Sequence, residues 1–599
     1  MIIDTHARPA FGTLDDARAM LRKRFGYPDF RPPQIRAVEA VVAGRDALIV
    51  LPTGGGKSLC YQVPALIRAG LTIVVSPLIS LMKDQVDALR RRGVSAAFIN
   101  SALSATEVAD CMARAQDGAL TMLYLAPERL DAGNTVQRLA RIGVSMLAVD
   151  EAHCISEWGH DFRPSYRRLG AIRERLGTPQ TVALTATATP DVRDDIARQL
   201  QLKTPDVVVG GFDRTNLTYF VVPAPTQRDK DSAAIAWLRN AGGPSVVYAP
   251  TRKAVERLTA VLVRARIQAV AYHAGLDSTL RQSAQNAFMS GRSRVIVATS
   301  AFGMGIDKPD VRLVVHHAMP GTLESYYQEA GRAGRDGKHS QCVLLYSVPD
   351  RATHEFFLAN THPERALVEQ LWQRLCALAD TDGRVIGSLD ALARRLPLGG
   401  DTRQLGAAVR VLSAAGALVN ESPGFGRVWM RLLATPDRIR RELCGHRRRD
   451  RDLLRALWRA VGPALESGTT IDLDGLAPDF GGSRELVPVL ERLAAEQFVT
   501  WTRTGGGYRL NAAFIHAETP PVDWRALDGR RMADLNRLDA VERYAQTRAC
   551  RRAFVLRYFG DPEVRSQCDA CDRCLGSAAE HPDRAPARAA SRRSRPRST

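Results

Sequence analysis

Three short stretches hold residues able to act on a nucleoside triphosphate. The first, LPTGGGKSLCYQ (Leu51–Gln62), closes an apolar run. Its glycines, Gly54, Gly55 and Gly56, let backbone N–H groups wrap a phosphate. Lys57 can then reach the β and γ oxygens and Ser58 can hold Mg2+, at a helix start whose dipole favours anions. The strict motif G-x-x-x-x-G-K-[ST] has glycine where this chain has Leu51. The second stretch ends the apolar strand MLAV in Asp150-Glu151-Ala152-His153. A carboxylate at such a strand end can reach the metal, and its neighbour can orient water for attack on the γ-phosphate. The third, QEAGRAGRD (Gln328–Asp336), offers Arg332 and Arg335 to neutralise transition-state charge. With the cradle in one domain and the arginines in the next, ATP would draw the two together and hydrolysis would release them, the cycle of a translocating motor.

A second chemistry sits near the C-terminus. Of ten cysteines, Cys550, Cys568, Cys571 and Cys574 form C-x17-C-x2-C-x2-C. Tight C-x2-C turns aim thiolates at one ion, and four of them match the closed tetrahedral shell of structural zinc. An iron–sulfur cluster is the alternative, since C-x2-C-x2-C also opens the ferredoxin run, although no further cysteine follows Cys574. Zinc is therefore the expectation. The other six cysteines fall mostly in apolar surroundings and need no function.

The elements that must position these residues read as follows. The 599 residues predict about four domains. From Ala47 to about Leu200, short apolar runs (ALIVL, TIVVSPL, TMLYLAP, MLAVDEAH, TVALTATA) alternate with helical stretches. A second series (SVVYAPT, AVAYHAG, RVIVATS, VRLVVHH, CVLLYS) repeats the pattern. Both predict doubly wound α/β domains with mostly parallel sheets, spanning residues 1–205 and 206–350. Beyond Pro349 helices dominate and an internal repeat appears. LDALARRLPLGGDTRQLGAAVRVLSAAGALV and LDGLAPDFGGSRELVPVLERLAAEQFV each run helix, glycine-containing turn, amphipathic helix and then a strand leading to a glycine-rich loop. They predict winged-helix-like modules over 351–437 and 438–520, which serve DNA or protein contacts, followed by a zinc module over 521–576. The arginine-rich helix and turn from Arg438 to Arg459 is a candidate phosphate track. The basic tail 577–599 is expected to be disordered.

Composition bounds the partners. There are 83 Lys plus Arg against 64 Asp plus Glu, a net charge of +19, so a polyanion such as nucleic acid is the first partner to expect. A GC-rich genome would also enrich arginine. The apolar runs fall short of the roughly 18 residues a membrane span needs, and no secretory apolar region opens the chain, so a cytoplasmic location without membrane contact is expected.

The same motifs carry a family resemblance. The first 350 residues or so resemble the core of a superfamily 2 helicase of the RecQ type. FGYPDFRPPQ is similar to the family's adenine-recognition motif, which implies Tyr27, Arg31 and Gln34 around the base. TGGGKS, Thr53 to Ser58, is similar to its phosphate loop, a form without the leading glycine. SPLISLMKDQ and LAPERL resemble segments lining the DNA path, and DEAH the metal and water motif. HCISEWGHDFRP resembles the aromatic-rich loop of RecQ enzymes, implying Trp158, Phe162 and Arg163 at single-stranded DNA. ALTATA, YHAGL, ATSAFGMGIDKPDVR and QEAGRAGRDG complete the set. The resemblance implies an ATP-dependent helicase moving 3′→5′ on single-stranded DNA, and the protein is expected to be a monomer. Such an enzyme would open tailed or branched duplexes alongside repair proteins, with ATP, Mg2+ and Zn2+ as cofactors.

RACRRAFVLRYFGD and CDACDRC resemble the RecQ zinc segment, so the four cysteines carry over as ligands. The order departs from the family's, because the repeat separates the core from the zinc segment. Phe425, in the first wing loop, is the candidate strand-separating residue. Two alternatives stay open: an annealing protein whose ATPase only switches DNA affinity, and an RNA helicase.

Overall fold

The computed structural model describes residues 11–576 apart from 53, 78, 101–102, 132–133, 160, 303–307, 381–382, 387–401, 422–426, 474–482 and 504–506. Thr53, Phe425 and the basic tail therefore lie outside the described residues. Contacts divide the chain into two units. The first comprises residues 1–354 and 533–599, and the second residues 355–532.

In the first unit, seven strands form one sheet: β1 (Ala47–Val50), β2 (Leu71–Val75), β3 (Ala96–Ile99), β4 (Met122–Leu125), β5 (Val144–Val149), β6 (Gln180–Thr185) and β7 (Asp206–Val209). Their order is β3-β4-β2-β5-β6-β1-β7, and every pair is parallel. These strands are continuous apolar runs because helices cover both faces, which is what a parallel sheet demands. Ile49, Val74, Ala148 and Leu184 lie in its core. A second parallel sheet holds β8 (Leu217–Pro223), β9 (Ser245–Tyr248), β10 (Ala269–Tyr272), β11 (Val295–Ala298), β12 (Leu313–His316) and β13 (Ser340–Tyr346), ordered β10-β11-β9-β12-β13-β8. The expected doubly wound architecture is present twice. One boundary moves: β7 pairs with β1, so the first domain runs past the expected end at residue 205 to about Val209. The run DVVV is too short to stand out from a linker until β1 offers it a partner.

Residues 533–576 close the open edge of the second sheet. The Tyr219 N–H donates to the Ala570 carbonyl at 3.4 Å, and the Val221 N–H donates to Asp572 Oδ2 at 3.0 Å. Asp572 also accepts from the fully buried Arg551 guanidinium (Nε to Oδ1, 2.9 Å). An edge strand exposes unpaired backbone groups, and a docked module removes that hazard. The zinc segment, separated from the core in sequence, is thus packed on it in space.

The second unit differs from the expected pair of consecutive modules. Its strands are β14 (Arg384–Ile386), β15 (Leu418–Glu421), β16 (Arg427–Leu432), β17 (Thr469–Asp472), β18 (Val499–Arg503) and β19 (Gly507–Leu510). One antiparallel sheet is ordered β14-β19-β15 and the other β17-β16-β18. Each repeat therefore gives the strand after its loop to the other repeat's sheet, as the central strand. Val428 and Met430 of β16 are buried with Leu453, Leu490 and Phe498, while Tyr508 and Leu510 of β19 are buried with Leu371, Leu405 and Leu412. A division at residues 437/438 separates β16 from the sheet it completes. Each β-strand alternates inward and outward residues, so either sheet could accept it by pattern alone, and packing decides.

Candidate active site and metal centre

The groups expected to meet a nucleotide lie at the C-terminal edge of the first sheet, where parallel-sheet proteins place their ligands. β1 leads into the loop Leu51–Ser58, β5 ends at Asp150 and Glu151, and β6, between them, ends at Thr185. The loop is held from behind by the N-terminal segment. Arg31 Nη1 donates to the Gly54 carbonyl at 2.9 Å, and Gln34 Nε2 donates to the Gly55 and Gly56 carbonyls at 2.9 and 3.1 Å. Gly56 has φ +74°, and a Cβ there would come within 2.3 Å of Gln34 Nε2, so glycine is required on both counts. Lys57 Nζ donates to the Leu51 carbonyl at 3.1 Å. Ser58 starts the helix Leu59–Ile67. Tyr27 is half exposed beside this segment. Arg31 and Gln34, expected at the base, are engaged with the loop itself.

Asp150 is 8% exposed, and its carboxyl is pushed up to about 7, first by burial and then by the charge of Glu151, against the pull of Lys57. Burial raises Glu151 as well, while Lys57 and Arg332 draw it down. Glu151 also takes φ +48°, a left-handed backbone rare outside glycine and common at functional sites. His153 Nδ1 lies 2.9 Å from Thr185 Oγ1, tying the DEAH turn to ALTATA, and burial lowers its pKa to about 4, so it is neutral.

Arg332 and Arg335 come from the second α/β domain. The helix Leu323–Ala330 ends in the turn 331–337, which sets Arg332 (6% exposed) and Arg335 toward the first domain. Arg335 Cγ lies 3.9 Å from where a Cβ on Gly54 would stand. A cleft of about 520 Å³ runs between the loop and this turn, lined by Arg31, Gln34, Gly54, Gly55 and Arg335. Sequence reasoning missed one wall of it: Asp213, Arg214, Thr215 and Asn216 also line the cleft. The run DRTN lies just inside the start of the second domain, and its density of polar side chains was the available signal. Together, a phosphate-sized loop with an ammonium, two buried carboxylates and two guanidiniums can bind a triphosphate, hold a divalent cation and stabilise charge on a transferring phosphoryl group.

Of the loop residues expected at DNA, Trp158 is 44% exposed, with a face available for stacking. Phe162 is half-buried. Arg163 pairs with Asp161 (Nη2 to Oδ2, 3.2 Å) and donates to the Pro77 carbonyl at 3.3 Å, so it is anchored rather than projecting. The Trp158 carbonyl accepts from Arg537.

The four C-terminal cysteines converge. The Sγ atoms of Cys550, Cys568, Cys571 and Cys574 all lie within 4.8 Å of one another, with Cys568–Cys574 and Cys550–Cys571 at 4.0 Å. A zinc ion with Zn–S bonds near 2.3 Å needs sulfurs about 3.8 Å apart, so the set fits a single ion, whereas a multi-iron cluster would hold the thiolates further apart. Cys571 is buried and adjoins Asp572, which links the metal shell to β8.

Two parallel α/β domains facing one another across such a cleft define the class: a paired α/β core of the DEAD/DEAH type. Residues 31–196 match the DEAD/DEAH box helicase family, 229–337 the helicase conserved C-terminal domain and 513–575 the RecQ zinc-binding family. The ATP-dependent DNA helicase RecQ of Bacillus subtilis is 46% identical over 361 residues, 60% of this chain and 61% of that protein. Its Pasteurella multocida counterpart is 42% identical over 370 residues, 62% of this chain and 58% of that protein. The probable ATP-dependent DNA helicase RecS of B. subtilis is 42% identical over 331 residues, 54% of this chain and 66% of that protein. The chain thus spans about three fifths of the length of the relatives it matches. It resembles RecQ helicases in its two α/β domains and in its zinc-binding segment. Among the described residues no helix is long and apolar enough to cross a membrane.

Proposed function

We propose that the chain is an ATP-dependent DNA helicase that moves 3′→5′ along single-stranded DNA and opens tailed or branched duplexes, in the cytoplasm, during recombination, repair or fork processing. Lys57 and the N–H groups of Gly54–Gly56 bind the triphosphate, with Tyr27 at the base. Ser58 and Asp150 would hold Mg2+, which would supply charge neutralisation to the triphosphate. Glu151 orients the attacking water, and Arg332 and Arg335 stabilise the charge that develops on the γ-phosphoryl group. Because the arginines and the carboxylates belong to different domains, the presence of the γ-phosphate favours closure and its loss favours opening. Trp158, Phe162 and Arg163 report DNA to the adjoining DEAH turn. Cys550, Cys568, Cys571 and Cys574 hold Zn2+ as a structural cross-link. The observation that carries the reading is that Arg335, from one α/β domain, stands across the cleft from the loop of the other, its Cγ 3.9 Å from where a Cβ on Gly54 would lie.

The test is ATP-driven unwinding of matched duplexes with a 3′ or a 5′ single-stranded tail, with Lys57→Ala as control. Unwinding from the 3′ tail alone is expected, and Lys57→Ala should lose hydrolysis while keeping DNA binding. DNA-stimulated hydrolysis without unwinding from either tail would favour an ATPase that switches DNA affinity.

A further inference from the structure

The two nucleotide-facing arginines stand on a turn whose carbonyls need partners from outside the preceding helix. After the helix Leu323–Ala330, the chain makes the turn 331–337, and the last carbonyls of a helix have no partner within it. Here one guanidinium fills that role. Arg214 Nη1 donates to the Gly331 carbonyl at 3.1 Å, and its Nη2 donates to the Ala333 and Gly334 carbonyls at 3.0 Å each. A cation at a helix C-terminus is also favoured by the dipole. Asn216 Nδ2 clasps the same turn, donating to the Gly334 carbonyl at 2.8 Å and the Lys338 carbonyl at 2.9 Å. Gly334 takes φ +56°, and a Cβ there would stand 2.4 Å from Asn216 Nδ2, so the turn and the clasp are fitted to one another.

The clasp is gripped from its other side by the zinc module. Arg552 is buried, and its Nη1 donates to Asp213 Oδ1 at 2.9 Å while its Nη2 donates to the Leu217 carbonyl at 2.6 Å. Phe559, at the end of the same helix, stacks on Phe212 with ring centroids 5.0 Å apart and planes 5° from parallel. That helix, Arg551–Tyr558, is capped by Cys550, whose Sγ accepts from the Ala553 N–H at 3.4 Å. A short series of contacts therefore runs from the cysteine cluster through Arg552 and the segment Phe212–Leu217 to the turn that carries Arg332 and Arg335.

We propose that Arg214 and Asn216 are positioning residues for the arginine pair, and that Arg552 sets them, so that the zinc module fixes the geometry of the ATP site as well as the fold around it. The proposal rests on the ATPase reading given above. Near-attack alignment is steep in distance: a displacement of about 1 Å can cost on the order of 100-fold in rate. A lysine at position 214 keeps the charge but cannot span three carbonyls with a planar fork.

The full-length protein tests it, with saturating single-stranded DNA. Arg214→Lys is expected to lower kcat for ATP roughly 10- to 100-fold. KM, and the affinity for a non-hydrolysable ATP analogue, should stay within about threefold, because ground-state binding is unaltered. Arg552→Gln should give the same kcat-selective loss and Arg552→Lys a partial rescue, through the retained charge on Asp213. The double variant Arg214→Lys/Arg552→Gln should be little worse than Arg214→Lys, since the two act in series. Zinc content and melting temperature, measured on each variant, should match the parent. An unchanged kcat in Arg214→Lys, or a loss that appears only with falling zinc content and melting temperature, overturns the positioning role. If the parent itself hydrolyses no ATP, the ATPase reading fails and the proposal falls with it. If the parent is active and Arg214→Lys equals it, only the proposal fails.

Discussion

Burial raises the Asp150 carboxyl from 3.8 to about 7, so in the folded chain it carries a proton below that pH and is ionised above it. A metal ion must displace that proton. Affinity for Mg2+ with nucleotide is therefore expected to fall about tenfold for each unit below pH 7, with protons released on binding. Calorimetry of Mg-nucleotide binding near pH 6.5, in buffers of different ionisation enthalpy, measures that release, and Asp150→Asn should abolish it. The sign for stability is the opposite of a salt-bridged carboxylate's. With the folded pKa above the unfolded one, the ionised group costs stability above about pH 7, and the cost shrinks as pH falls. Asp150→Asn should raise the melting temperature of the metal-free protein by a few degrees at pH 8 and by less at pH 5. Much at this scale was legible in the sequence, because a phosphate loop and a carboxylate pair are local patterns. Arg214 and Asn216 were not, because their partners lie more than a hundred residues away.

At the scale of elements, the parallel sheets followed from runs such as ALIV and TIVV, which only burial on both faces explains. Three strands were harder to see. DVVV and LTYFVVP became β7 and β8 through partners distant in sequence, and AAFI became the edge strand β3 beside β4. The helical repeat was recognisable, yet the exchange of β16 and β19 was not. A strand after a short loop is expected to fold back on its neighbour, because closing a short loop costs the least entropy. The observed pairing instead buries Val428 and Met430 in one core and Tyr508 and Leu510 in the other. Expressed alone, residues 355–437 lack β19, the centre of their sheet, and carry β16 without a partner. That fragment should show no cooperative thermal transition by circular dichroism, whereas 355–532 should melt cooperatively. A cooperative melt of the shorter piece would mean that each repeat completes its own sheet.

At the scale of the molecule, the segment 533–576 returns to the core after the intervening unit and docks on β8. Cys571 pairs with Tyr219 across a parallel bridge, and Asp572 anchors Arg551, a buried ion pair whose disruption costs about 3–5 kcal/mol. Structural zinc contributes about 10–16 kcal/mol in small domains. Cys571→Ser should therefore lose the ion, lower the melting temperature of the first unit by several degrees and expose the helix Arg551–Tyr558 to proteases. The melt of 355–532 should not move. One zinc per chain with unchanged melting in the variant would refute the cross-link.

The candidate groups were visible along the chain: a glycine-rich loop, paired carboxylates, paired arginines, four thiols and two doubly wound domains, each written in residues close together. Which distant segments meet is settled by packing in three dimensions. It put β7 with the first sheet, exchanged the central strands of the repeat, returned the zinc segment to β8 and set Arg214 under the arginine turn. The physical reason is the same in each case. Local patterns fix what a segment can form, but its partner is chosen by burial and hydrogen-bond satisfaction over the whole chain, and those terms have no signature within a short window of sequence.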